Sequence, residues 1–325
     1  MKKKYLKIFL GAAMAYTVLF SAQSCKVRDD YPEFDPPVEE VPVKDTIPPD
    51  DIKTAWIQRI MDNTTYIKTF QMDTTQTIAP GFEYVHTRFI NKENLSISMH
   101  ILEIDMSKTK VTMQTLTPYN DYLFSAQHLP EMIPFNQVSA EGKIIAAING
   151  DAATSNEPTG SYVKFGRVMK KNTSKTRPYI GVRKGSDKIE FFNSPDATKY
   201  PVPEIDYTQI KHLVGGSYFL LYKGNNVSTT SSGAARIAVG ITQDESKIYL
   251  VATDGVVANF SAGVALDDLR DIMRALGCYT AMQPTSGNVT SLTVLDVLSK
   301  EQQWIKKNIT PALAAAPSGI GFVVK

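Results

Sequence analysis

The chain has 325 residues, of which 43% are hydrophobic and 21% charged, with a formal net charge of +2. That length suits one large domain or two small ones. With no basic block outside the first residues, the charge argues against a nucleic-acid partner.

The first segment reads as an export signal. Lys2, Lys3, Lys4 and Lys7 form a basic region, and the apolar run 8–20 is shorter than a membrane span needs. Small residues lead to Cys25, which predicts a bacterial lipoprotein with its lipid on that thiol; the alternative is an ordinary cleaved signal, since Ala22 replaces the usual Leu. Residues 1–24 are then the signal peptide, and 25–51 the lipidated Cys and a tether. The tether holds six prolines and nine acidic residues, so it buries too little apolar surface to fold. Its acidic residues resemble the surface-export signals of some Gram-negative lipoproteins. The expected location is the outer membrane, on its surface or its periplasmic face, with membrane contact through the lipid alone. Loss of Lys2, Lys3, Lys4 and Lys7 with the signal takes the net charge from +2 to −2. Lipidation of Cys25 would leave Cys278 without a disulfide partner, and its apolar context predicts a buried small residue.

Residues 52–79 read as a helical lead-in, because Ile52, Trp56, Ile57 and Ile60 recur at helical spacing. The domain proper is assigned to 80–325. Strands are predicted at 83–89, 96–104 and 111–116, then a short helix within 130–141. The apolar run from Lys143 ends in a turn at Asn149-Gly150-Asp151. Further strands are expected around 162–168, 179–182 and 189–192, and a loop over 194–203. A Gly215-Gly216 pair lies inside 211–222, with its strand after the glycines. Strands at 237–241 and 248–252 flank a turn. A helix over 266–276 has Leu266, Leu269, Ile272, Met273 and Leu276 on one side. Asp267 and Asp268 lie in its first turn, and Gly277 suits its end. Strands at 291–298 and 319–324 close the chain. Short strands with a few helices between them indicate an α+β fold with strand-rich mixed sheets.

Several segments, in this order, resemble the phosphodiester glycosidase family. They are Ala147-Ile-Asn-Gly-Asp151, Pro158-Thr-Gly160, Phe165-Gly-Arg167, Val214-Gly-Gly-Ser-Tyr-Phe-Leu220, Ala235-Arg-Ile-Ala-Val-Gly240, Asp254-Gly255 and Gly263-Val-Ala-Leu266. The resemblance spans roughly residues 80 to 325. It implies hydrolysis of a sugar-phosphodiester, or recognition of one or of a related surface glycan. It implies Asp151 and Arg236 as catalytic residues, the first as acid or base and the second as a fork onto two phosphate oxygens. Asn149 would orient a sugar hydroxyl, and Asp254 would join the binding residues. Each has a plainer reading beside it: Asp151 and Asp254 as turn formers, Asn149 as a tolerant turn residue, Arg236 as half of a structural ion pair.

The family's Asp-Gly-Gly-Gly-Ser signature falls on Thr285, Ser286, Gly287, Asn288 and Val289, and only Gly287 is kept. A hydroxyl at Thr285 offers neither charge nor useful basicity. Thr285, Ser286 and Asn288 are therefore assigned to ligand binding, and Val256 stands where the family has an Arg. The alternative to an enzyme is a non-catalytic glycan-binding lipoprotein at the cell surface. No cofactor is implied. The four histidines, His86, His100, His128 and His212, lack metal-ligand spacing, which leaves them structural or on the surface.

Overall fold

The computed structural model describes residues 54–227, 231–295, 304–308 and 314–325. The signal peptide, Cys25 and the tether lie outside the described residues.

Three sheets carry the fold. The largest has eight strands in the order β1 (Ile67–Ala79), β2 (Phe82–Asn91), β3 (Ser96–Asp105), β16 (Lys247–Thr253), β15 (Arg236–Thr242), β17 (Cys278–Gln283), β13 (Tyr218–Tyr222) and β14 (Asn225–Asn226). The second has the order β19 (Trp304–Lys306), β18 (Leu292–Leu295), β5 (Lys143–Asn149), β20 (Gly319–Val324) and β4 (Val111–Leu116). The third has β11 (Ile189–Phe192), β10 (Tyr179–Arg183), β12 (Ile210–Gly215), β8 (Tyr162–Lys164) and β9 (Arg167–Lys170). A two-residue pair, β6 (Ala153–Thr154) with β7 (Glu157–Pro158), makes a small flap. Among the described residues three α-helices, α1 (Ala55–Asn63), α2 (Leu129–Asn136) and α3 (Leu266–Ala275), complete an α+β domain.

Alternation along the strands explains the layering. Tyr84, Leu102, Ile237, Val239, Leu250 and Met282 project from the large sheet into a core shared with Met113, Ile148, Leu292 and Phe322 of the second sheet and Tyr162, Ile180 and Val214 of the third. The alternate residues of the large sheet, among them Val85, Ile101, Ala238 and Val251, pack against α1 and α3. Helix α3 buries Leu266, Leu269, Ile272 and Met273 there. Helix α2 covers the outer face of the second sheet with Leu129, Met132 and Ile133. Each such side chain contributes about 1.5–3 kcal/mol on burial.

The structure departs from the sequence pattern in four places. Residues 67–79 do not continue the helical lead-in; they form β1, a 13-residue strand paired with β2. Its Thr- and Gln-rich sequence has strong β-formers but no clean apolar alternation, so its period is hidden. Residues 162–168 are two strands, because Phe165 and Gly166 both take positive φ and reverse the chain. Residues 210–222 are likewise two strands in different sheets, with Gly215-Gly216 at the crossing between them. Finally, β17 begins directly after Gly277, where helix α3 has ended, and it sits inside the large sheet. Cys278 at its start is buried and free, and burial pushes its thiol pKa up, as expected of a core residue.

Candidate functional site

Strand β5 delivers the first part of the site. Its apolar run is buried from Ile144 to Ile148, and the chain then leaves the sheet through Asn149, Gly150 and Asp151. Gly150 is required by close approach: a Cβ there would lie 2.5 Å from Ser318 Oγ. Its N–H donates to the Ser318 carbonyl at 2.9 Å and holds the turn to the start of β20. The Asp151 side chain is fully buried. Arg177 Nη2 donates to Asp151 Oδ1, and the Gly160 N–H donates to Asp151 Oδ2. Two glycines make room for the carboxylate, since a Cβ at Gly215 would stand 2.6 Å from Oδ2 and one at Gly160 would stand 2.7 Å away. Burial raises the Asp151 pKa above the ordinary carboxylate value, against the opposing pull of Arg177 and of the N–H bond from Gly160.

Beside this pair the polar groups are incompletely matched. Asn149 is 1% exposed, and neither its amide nitrogen nor its oxygen has a hydrogen-bond partner in the protein. Ser318 Oγ and Arg177 Nε are also buried without partners. Buried polar atoms are satisfied in the great majority of native structures, so each of these orphans marks a candidate place for a ligand or ordered water.

Arg236 occupies a second locus, at the start of β15. Its Nε donates to the Val264 carbonyl at 3.1 Å, Nη1 to Gln283 Oε1 at 3.2 Å, and Nη2 to Ser231 Oγ at 2.7 Å and the Ser232 carbonyl at 2.8 Å. Arg236 is 5% exposed, and all these acceptors are neutral; the ion pair of the plainer reading is not among its bonds in the described residues. Burial works against its charge. The site therefore holds a buried cation tied to three segments, 231–232, 264 and 283, yet uncompensated by those ties.

The rewritten signature runs past this arginine. Ser286 forms an isolated bridge with Arg236, and the Gly287 N–H donates to the Ala235 carbonyl at 2.9 Å. Thr285 is 3% exposed, Ser286 half-buried and Asn288 exposed. The Ser217 N–H donates to the carbonyls of Gln283 at 2.8 Å and Pro284 at 3.1 Å. Residues 215–217 thus connect the loci, with Asp151 against Gly215 at one end and Gln283, the partner of Arg236, at the other.

Asp254 lies elsewhere. It is fully buried, and His100 Nε2 sits 3.0 Å from its Oδ2. Because a carboxylate only accepts, this nitrogen carries a proton. His100 Nδ1 is 2.8 Å from the Tyr84 hydroxyl, and His86 stacks on His100 at 4.5 Å between ring centroids. Ser261 Oγ donates to the Asp254 carbonyl at 3.1 Å. This network is buried and interlinked within the protein.

Sequence reasoning missed two of these partners. Arg177 sits in an irregular loop just before Pro178, and nothing local marks it. His100 has the alternation of a strand residue, and its link to Asp254 appears only when β3 pairs with β16. The glycines at 160 and 215 were visible, but their role as a cradle for one carboxylate was not. No group of three or more His, Cys, Asp or Glu side chains among the described residues is arranged to hold a metal ion.

A family model described as phosphodiester glycosidase matches residues 142–319, which include both loci and the rewritten signature. No curated protein matches the sequence. Among solved structures, the catalytic domain of a zebrafish N-acetylglucosamine-1-phosphodiester alpha-N-acetylglucosaminidase, auto-inhibited by its pro-peptide, superposes with a TM-score of 0.52 at 15% identity; the match covers 79% of this chain and 88% of that one. A hypothetical protein from Synechocystis gives 0.51 at 14% identity, over 78% of this chain and 64% of that one. A putative exported protein from Burkholderia pseudomallei gives 0.56 at 9% identity, over 80% and 98%. At such identities these likenesses concern the fold alone. With more than half of its length matched by the family model, the chain belongs to the phosphodiester glycosidase family.

Proposed function

We propose that this protein is a lipid-anchored hydrolase of sugar-phosphodiesters, with its reaction centred on Asp151 and Arg177. The observation that carries this reading is the unpartnered Asn149 amide two residues from the buried Asp151–Arg177 pair. A sugar hydroxyl both donates and accepts, so it can satisfy both ends of that amide. Arg177 keeps Nε free for a phosphate oxygen, and a guanidinium binds such groups through parallel N–H bonds.

The chemistry needs only one carboxylate here. In a glycosidase with an alkoxide leaving group, a second carboxyl must protonate the departing oxygen. A phosphate monoester is already a stable anion and departs with the electron pair of the broken bond. Asp151 then takes the proton of the water that attacks the anomeric carbon, and Arg177 holds the phosphate. Thr285 in place of the family's Asp is compatible with this scheme. Arg236, tied to neutral oxygens, adds positive potential near the Gly215–Ser217 segment.

A second reading, a glycan-binding protein without turnover, is favoured by one specific observation: both Asp151 oxygens are engaged, and the side chain has no exposure. A panel of sugar-1-phosphodiesters incubated with wild type, Asp151→Asn and Thr285→Asp, with products read by mass spectrometry, separates the two. Turnover lost in Asp151→Asn supports the hydrolase. Turnover that survives this change removes Asp151 from the reaction. An inactive wild type whose glycan binding depends on Asn149 establishes the second reading. The anchor rests on Cys25 and the acidic tether, and places the protein on the outer membrane. Labelling with a fatty-acid analogue, lost in Cys25→Ser, tests it.

A further inference from the structure

The end of β4, helix α2 and the β8–β12 pair enclose a polar cluster at the edge of the shared core. Val214 lies opposite Tyr162 and Leu213 opposite Val163, so the next step of that register sets His212 opposite Lys164. Residues directly opposite share one face, with Cβ atoms about 4.5–5.5 Å apart. Tyr162 and Val214, two residues along on the same face, enter the core between the sheets. Lys164 and His212 replace that apolar pair by two nitrogen bases, and both are buried, at 0% and 1% exposure.

Neither base is matched by an opposite charge. Lys164 Nζ donates to Thr117 Oγ1 and, at 2.8 Å, to Asn136 Oδ1, both neutral. Asn136 Oδ1 also accepts from the Thr117 N–H at 3.1 Å, and its Nδ2 donates to the carbonyls of Thr117 and Met132. The rings of Tyr122 and Phe165 stand 5.8 and 5.9 Å from the ammonium. No carboxylate forms an ion pair with Lys164 among the described residues, and the exposed Asp121 acts on it from a distance. His212 Nδ1 accepts from the Thr115 N–H at 3.3 Å and lies 2.8 Å from Thr115 Oγ1. Burial first, then Lys211, Lys164 and Lys325, pushes the imidazole pKa down to about 3, so the ring is neutral at pH 7 and its one proton sits on Nε2. That buried N–H has no partner in the protein. Lys211 and Lys325 are themselves paired with Glu141, at 2.5 and 3.4 Å.

A buried ammonium costs stability unless an opposite charge meets it, and a buried N–H costs it unless an acceptor does. We propose that a halide ion, chloride, binds between Lys164 Nζ and His212 Nε2, at the seam of the second and third sheets. Lys164 keeps one N–H after its two bonds, and His212 offers one, so two donors remain. A single-atom anion uses both, whereas an oxyanion would bury further oxygens without partners. A water would satisfy the imidazole N–H and leave the ammonium charge uncompensated. The site uses no group of the reaction proposed at Asp151.

Two measurements test this. Thermal midpoints are recorded at fixed ionic strength while sodium chloride replaces sodium gluconate, and crystals soaked in sodium bromide are studied by anomalous diffraction. The proteins are wild type, Lys164→Gln, His212→Phe and Lys108→Gln, the last removing a cation whose side chain is 62% exposed. The expected result is a wild-type midpoint that rises with chloride and saturates, as binding to the folded state alone requires, together with a bromide peak between Lys164 Nζ and His212 Nε2. Chloride affinity should fall at least about tenfold in Lys164→Gln and in His212→Phe, since each loses one donor to the ion, and should stay unchanged in Lys108→Gln. A wild-type midpoint indifferent to chloride overturns the inference, as does the absence of a bromide peak at Lys164. A peak without chloride dependence marks an adventitious ion only and also overturns it. Should Lys164→Gln fail to fold, His212→Phe and the wild-type crystal decide: full chloride dependence in His212→Phe places the ion elsewhere and refutes the site.

Discussion

Asp151 and Asp254 invite comparison because they start from the same local chemistry. Each leaves a buried strand beside a glycine, and each carboxylate is buried against a basic side chain. Around Asp254 the partners form a closed network: His100 bridges the carboxylate to Tyr84, and Ser261 ties its backbone. Around Asp151 the network stops short, with Asn149, Ser318 and one nitrogen of Arg177 unpartnered. A satisfied buried network rigidifies a core, whereas an unsatisfied one costs stability that only a ligand or water repays. The difference separates a structural aspartate from a candidate catalytic one, although their sequence contexts look alike.

The largest effect should come from Asp151. Asp151→Asn keeps the size of the side chain and removes its basicity, so turnover of a sugar-phosphodiester should fall roughly 10²–10⁴-fold in a steady-state assay. An equal fall in Asp254→Asn would erase the contrast between the two residues.

Asp254→Ala should act on stability instead. It leaves His100 Nε2 buried without its acceptor, a cost of about 1–3 kcal/mol in urea unfolding, with ligand binding by the folded protein unchanged.

A smaller effect concerns pH. Burial first, then the neighbouring His100, lowers the His86 pKa from 6.5 to about 4. Between these values the unfolded chain binds more protons than the folded one, so stability rises with pH and is lost as pH falls from 6.5 toward 4. His212, lowered to about 3 mainly by burial, has the same sign. His86→Gln should therefore flatten the midpoint-against-pH curve in part, leaving the His212 component. A curve unchanged by the substitution would detach His86 from the Asp254 network's acid response.

The smallest effect belongs to Val256, which is 72% exposed two residues beyond Asp254. Val256→Arg restores the residue type of the family at that place and should change stability by less than about 0.5 kcal/mol. Higher turnover in this variant would draw the Asp254 turn back toward the reaction.

Particular elements show where local pattern suffices. Strand β4, strand β20 and helix α3 match their expected spans almost residue for residue, because one face of each is apolar at the period of its own geometry. Strand β1 was hidden, since threonines on both faces carry β-propensity without alternation. The turn at Asn149-Gly150-Asp151 was legible from its residue types. The family itself was legible from ordered short motifs.

The amino-acid order by itself determined most of the segments that become strands and helices, which face of those is buried, and which family the chain enters; β1 and β17 were read only from the pairing of strands. The tertiary structure alone decided which polar groups meet. Arg177 reaches Asp151 across 26 residues and His100 reaches Asp254 across 154, each through pairings of strands or loops that periodicity does not encode. Hydrophobic burial is non-directional and readable one segment at a time, while a hydrogen bond needs two particular atoms within about 3 Å. The choice between an aspartate whose neighbours are all satisfied and one beside unpartnered groups therefore waited on the packing of three sheets.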